Sequence, residues 1–241
     1  SDSGVFEDYG LYTQVEQLNK TALKTHGADP NGQLYKINSF EFLRNEDIIR
    51  LTTDPAYDQT AFEALLEIKG DSDHSKLIEM LEVLNDETSS MEDELFVTYF
   101  DKENIAYWMA FQLLTGNTDT QNRNVYLYSP QNSSKWYLWD WDNDGMLRRR
   151  EREIIKFSDS ESWERGVSNY WGNVLFRRCL QTQSYRDMLD AAMKELYAYM
   201  NETRIQSMLE HYRSVTETYV WQMPDRMYVP ITHAEYEDVL K

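Results

Sequence analysis

Asp119, Asn124 and Asp140 are the residues whose types and spacing could move a phosphoryl group. In-line phosphoryl transfer needs little covalent help. It needs the attacking hydroxyl aimed and the phosphate charge neutralised by a metal ion. The order found here is Asp119, four residues, Asn124, a strand-like run, a polar turn, a second strand-like run and Asp140. In a phosphoryl-transfer site of that layout, the first Asp orients the hydroxyl and takes its proton, while the Asn and the second Asp hold Mg²⁺ or Mn²⁺ through oxygen. Asp142 stands one step further along. If the second strand runs on, Asp140, Asp142 and Asp144 share one face, because alternate side chains of a strand point the same way. Like charges roughly 5–6 Å apart repel by about 3 kcal/mol at an effective dielectric near 20, a cost that a bound cation removes.

These residues must be positioned by the elements around them. Val125–Tyr128 and Lys135–Trp139 are aromatic-rich and strand-like, and the turn-forming Ser129–Ser134 between them predicts an antiparallel hairpin. Asn124, just before the first strand, then faces Asp140, just after the second. Upstream, Asp101–Thr115 predicts a buried helix with Asp101 as its cap and Gly116 as its stop, delivering residues 117–124 rigidly. A rival pattern overlaps the site: Asp140-x-Asp142-x-Asp144-Gly145 with Glu151 matches a twelve-residue calcium loop. Against it stand a strand rather than a helix before Asp140, and Arg148 to Arg150, which would bring three positive charges to the ion.

Gly116-Asn117-x-Asp119, Asn124-x-Tyr126-Leu127-Tyr128, Trp136 and Trp139-Asp140-x-Asp142 together resemble the CotH kinases, a family named for a bacterial spore-coat protein. Gly10-Leu11-Tyr12 with Glu16, and Leu34-Tyr35-Lys36, add to the resemblance, which runs from about Gly4 to the region of Leu180. It implies an α+β, atypical protein-kinase-like fold, mainly the helical C-terminal lobe with a β remnant of the N-terminal lobe. Residues 1–38 would be the small-lobe remnant and hinge, and 39–241 the helical lobe. It implies transfer of phosphate from ATP, with Mg²⁺ or Mn²⁺, to Ser or Thr of a protein, at a spore coat or bacterial cell surface. Asp119 would be catalytic, Asn124, Asp140 and Asp142 would ligate metal, and Asn117, Tyr35, Glu16 and Lys36 would contact nucleotide, with Tyr35 at a hinge meeting the adenine. Little room for a Lys-bearing strand and a phosphate-covering loop precedes Gly10, so the chain is expected to be a fragment that folds but transfers phosphate poorly or not at all. The alternative from another class is a non-catalytic module that docks ATP or a partner protein.

Composition narrows the partners. Forty-two acidic against twenty-four basic residues give a net charge of −18, which repels polyanions and suits basic protein substrates or divalent cations over nucleic acid, and with the resemblance this implies a basic, Ser/Thr-rich protein substrate. No apolar run is long enough to span a membrane. Cys179 is the single cysteine, on an apolar helix face, and reads as core. His26, His74, His211 and His233 fall in different elements, without the spacing of a zinc site. Elsewhere the patterning predicts a strand pair over Val5–Glu16, one or two helical turns in Gln17–Thr25, and a strand at Gln33–Ile37. Helices follow between Phe40 and Leu84, capped by Asp58 and Ser75 with a solvated Asp71–Asp73 loop between them. Amphipathic helices are expected over Tyr170–Leu180, Tyr185–Met200 and Arg204–Trp221, with a last helical turn after Thr232.

Overall fold

Gln33–Ile37 (β1) forms the centre of a four-stranded antiparallel sheet. In this computed structural model, which describes residues 8–146 and 167–235, the order is β2-β1-β3-β4, with β2 at Leu66–Ile68, β3 at Val125–Ser129 and β4 at Tyr137–Asp140. β1 pairs with β2 through Tyr35↔Ile68 and with β3 through Tyr35↔Leu127. Strand alternation then sends Tyr35, Ile37, Val125, Leu127 and Leu138 to one core, and Leu34, Tyr126 and Tyr128 to a second on the opposite face. The second face is covered by Leu23 of α1 (Lys20–Thr25), so all five residues of β3 are buried. Each large side chain taken out of water in this way contributes about 1.5–3 kcal/mol. The mixed helix and small antiparallel sheet make the chain α+β, as expected.

The larger core is built by helices whose starts are written in the sequence. Asp58 caps α2 (Gln59–Leu65) by accepting from the Thr60 and Ala61 amides, and Asp101 caps α4 (Lys102–Thr115) by accepting from the Asn104 amide at 2.8 Å. α3 (Ser75–Asn85) differs from expectation: the helix begins after His74, and the carboxylate that accepts from the Ser75 amide at 2.9 Å belongs to Asp73. Between α3 and α4 runs a π-helical segment, Met91–Tyr99. α5 (Val174–Gln181) is capped by Asn173 and buries Val174, Leu175, Phe176, Cys179 and Leu180. α6 (Gln183–Tyr199) adds Tyr185, Leu189 and Ala192.

The chain divides into two units, residues 17–197 and residues 1–16 with 198–241. In the smaller one, the Val5–Glu16 strand pair is corrected: Asp8–Glu16 forms no strand, and Tyr9, Leu11, Tyr12 and Val15 are exposed. The alternation was real, but no neighbouring strand pairs with it. Instead Gly10 has a left-handed backbone, and the Leu11 amide donates to Asp225 Oδ1 at 2.9 Å. α7 (Glu202–Val220) is capped by Asn201 and buries none of its side chains. Thr232 and Glu235 form a reciprocal capping box that starts the expected last turn. Among the described residues no helix is long and apolar enough to cross a membrane.

Candidate functional site

α4 ends where Gly116 takes a left-handed backbone (φ 65°), and the chain turns at once into residues 117–124. Three distant groups fix that loop. Thr120 is fully buried with its hydroxyl 2.9 Å from that of Tyr170, the Asn173 side chain donates to the Gln121 carbonyl at 2.9 Å, and the Phe40 amide donates to the Asn122 carbonyl at 2.9 Å. The loop is therefore held from below while its upper side chains reach solvent. Asp119 is one of these, and Asn124 Nδ2 donates to its Oδ2 at 3.1 Å. Arg123 lies 3.7 Å from Oδ1, but both partners are more than half exposed, so this ion pair contributes little.

The hairpin forms as the sequence predicts, with Val125 opposite Asp140, so Asn124 and Asp140 end neighbouring strands at the same edge. Asp140 is exposed, yet both carboxylate oxygens are held. Gln112 Nε2, from the buried face of α4, donates to Oδ1 at 2.7 Å, and Asn143 Nδ2 donates to Oδ2. Asn143 in turn accepts from Asn117 Nδ2 at 3.3 Å. Gln112 Oε1 and Asn117 Oδ1 remain buried with no hydrogen-bond partner. The two side-chain amides hold Asp140 through N–H and leave its other lone pairs outward, and carboxylate oxygen is the ligand type that a hard divalent cation takes.

One geometric expectation is overturned here. The strand does not continue past Asp140. Asp142 has a left-handed backbone (φ 57°) and starts a 3₁₀ turn over Asn143–Gly145, so Asp140, Asp142 and Asp144 do not share a face. No three acidic, His or Cys side chains are grouped to hold a metal among the described residues. The feature that breaks the strand is itself informative. Of the four non-glycine residues with φ between +41° and +58° among the described residues, two are Asn124 and Asp142, one at each end of the hairpin. Asn and Asp tolerate that conformation best, and backbone strain tends to gather at functional sites.

The family model described as CotH kinase protein matches residues 3–241. This chain belongs to that family. Among curated proteins, no match was found. CotH membership thus covers essentially the whole chain, including the part after Leu180 that the sequence motifs do not reach.

The remaining candidates in this CotH chain fall in separate places. Tyr35, expected to meet an adenine, is fully buried on the helical side of β1. Its hydroxyl lies 2.8 Å from His74 Nδ1 and its ring is stacked on Trp136. A central strand has both faces covered, so the Tyr35 ring offers no open face in this structure. Lys36 points to the opposite face, its ammonium 5.8 Å from the centroid of Trp141, the residue after Asp140. Glu16 is exposed and belongs to the smaller unit. Asn117 is 3% exposed and joins the Asp140 network rather than solvent. Of the calcium pattern, Glu151 and the Arg148–Arg150 run lie outside the described residues, while the element before Asp140 is a strand. Cys179 is core, as expected, and burial raises its thiol pKa far above the ordinary range. Sequence reasoning missed Gln112 and Asn143. The available signal for Gln112 was that it alone breaks the apolar run Ile105–Leu114 with an amide.

Proposed function

We propose that this chain transfers the terminal phosphate of ATP to Ser or Thr of a basic protein substrate, at a spore coat or bacterial cell surface, within a protein-kinase-like fold. On this reading residues 1–38 are the small-lobe remnant and hinge, with β1 as the one strand among their described residues, and 39–241 are the helical lobe. The observation that carries it is the pairing of Val125 with Asp140, which brings Asn124 beside Asp140 at the mouth of an anchored loop bearing Asp119. Asn124 and Asp140 would hold Mg²⁺ or Mn²⁺, with Asp142 next to them. A bound ion supplies neutralisation of phosphate charge. Asp119, exposed and steadied by Asn124, orients the incoming hydroxyl and accepts its proton. Lys36, on the second sheet face beside Trp141, would contact the nucleotide, and Asn117 would act on it through the Asp140 network. The net charge of −18 favours basic substrates.

The test is radiolabel transfer from ATP to a basic Ser/Thr peptide. Asp119→Asn is expected to abolish transfer and keep Mn²⁺–ATP binding, whereas Asp140→Asn loses both. Transfer surviving in Asp119→Asn at more than a few per cent overturns the assignment of the base. ATP binding by the wild type without any transfer would make the chain a binding module instead.

A further inference from the structure

The two oxygens of Asp140 are held from two different elements, although the residue itself is exposed. An exposed carboxylate ordinarily samples several rotamers and is solvated on every lone pair. Here one lone pair of Oδ1 is taken by Gln112 and one of Oδ2 by Asn143, which leaves the others free toward solvent. Gln112 stands on the buried face of α4, 1% exposed, between Met109 and Thr115, both also buried. Its other amide atom, Oε1, has no partner. A buried amide whose oxygen has no partner is a liability for folding, and an apolar residue would pack that helix face better. Among the described residues, the one hydrogen bond of the Gln112 side chain goes to Asp140. Its amide orientation is dictated by that bond, since the reverse would set Oε1 against a carboxylate oxygen.

We propose that Gln112 is a positioning residue for Asp140: it fixes the carboxylate from the rigid interior so that its outward lone pairs meet a metal–nucleotide complex at little ordering cost. This rests on the kinase reading above. Gln112 touches neither metal nor nucleotide and acts through Asp140, with Asn143 as the surface half of the same clamp. The far end of the clamp is Asn117, so helix α4, its terminal turn and the 3₁₀ turn after β4 are joined by side-chain hydrogen bonds around Asp140.

The experiment measures Mn²⁺–ATP binding by calorimetry and the electron paramagnetic resonance spectrum of the bound Mn²⁺, beside thermal unfolding. Gln112→Met keeps length and apolar packing and removes only the donor; it should weaken Mn²⁺–ATP binding about tenfold, raise KM for Mn²⁺–ATP and leave kcat within a few-fold. Gln112→Asn keeps a neutral amide but is one methylene shorter, so its donor no longer reaches Asp140, and it stays testable if the Met variant fails to fold. It should alter the spectrum of bound Mn²⁺, which a purely structural role would leave unchanged. Wild-type binding and spectrum in a folded variant overturn the inference and leave the kinase reading standing. A wild type that takes up no Mn²⁺–ATP overturns both.

Discussion

The hydroxyls of Thr120 and Tyr170 lie 2.9 Å apart inside the core, tying the loop that carries Asp119 to a residue fifty positions later. Burial pushes the Tyr170 phenol up to about 12, so it stays neutral at all ordinary pH. Tyr170→Phe should cost about 1–2 kcal/mol, because the Thr120 hydroxyl is left unmet in the core, and Thr120→Val should cost a similar amount. In urea denaturation the double variant should lose less than the sum of the singles. Strict additivity would mean that the contact does not hold the loop.

Gly116 and Gly145 should respond differently to alanine. An added Cβ at Gly116 meets nothing within 4 Å, so the cost is the left-handed backbone alone, about 1 kcal/mol. At Gly145 it would come within 2.7 Å of Asn117 Oδ1. Thermal unfolding should register the first change, and Mn²⁺–ATP affinity the second. The reverse ranking would place the Asn117 network outside the nucleotide site.

His74 makes stability depend on pH. Its ring is stacked on Phe62 at 4.0 Å, and its nitrogens face the hydroxyls of Tyr35 at 2.8 Å and Tyr57 at 3.2 Å. Burial lowers its pKa to about 4, against the opposing pull of Asp73 and Asp71. The unfolded chain, with a His pKa near 6.5, therefore binds more protons between these values. The neutral ring's contribution is complete above about pH 6.5 and is lost as pH falls toward 4, roughly 2 kcal/mol after screening is allowed for. Urea midpoints for wild type and His74→Gln across this window should diverge as pH rises. Parallel curves would show that His74 is not the titrating group.

A metal–nucleotide site and a calcium loop behave differently in calorimetry. The kinase reading expects Mg²⁺ or Mn²⁺ to bind weakly until ATP supplies phosphate oxygens. Tight uptake of Ca²⁺ alone, abolished by Glu151→Gln, would move Asp140 from the kinase column to the calcium one.

The parts legible in the sequence were those whose signal is local. The hairpin, β1, α4 and the caps at Asp58 and Asp101 each follow from alternation, turn residues or a carboxylate before an apolar run. β2 was hidden because three residues directly after a helix carry no period. Asp142 escaped because a left-handed residue after an Asp-rich strand looks identical, on paper, to one more strand position. The Asp8–Glu16 segment has strand alternation without a partner strand, and only pairing makes alternation into a sheet. Gln112 is the instructive omission. Its helix was expected to be buried, and a lone amide in that setting asks what it bonds to, but the answer lies 28 residues away, beyond any local pattern.

Cys179, buried in α5, is the one thiol in the chain. That makes the protein its own opening clock. A thiol reagent added to the native state can react only when α5 comes away from the core, so the rate of modification counts the excursions of the domain without any introduced label. Run with and without Mn²⁺–ATP, the same clock would report whether filling a site at the far end of α4 quiets the helix that Asn173 starts. The chain carries the reporter on the element whose capping residue also steadies the Asp119 loop.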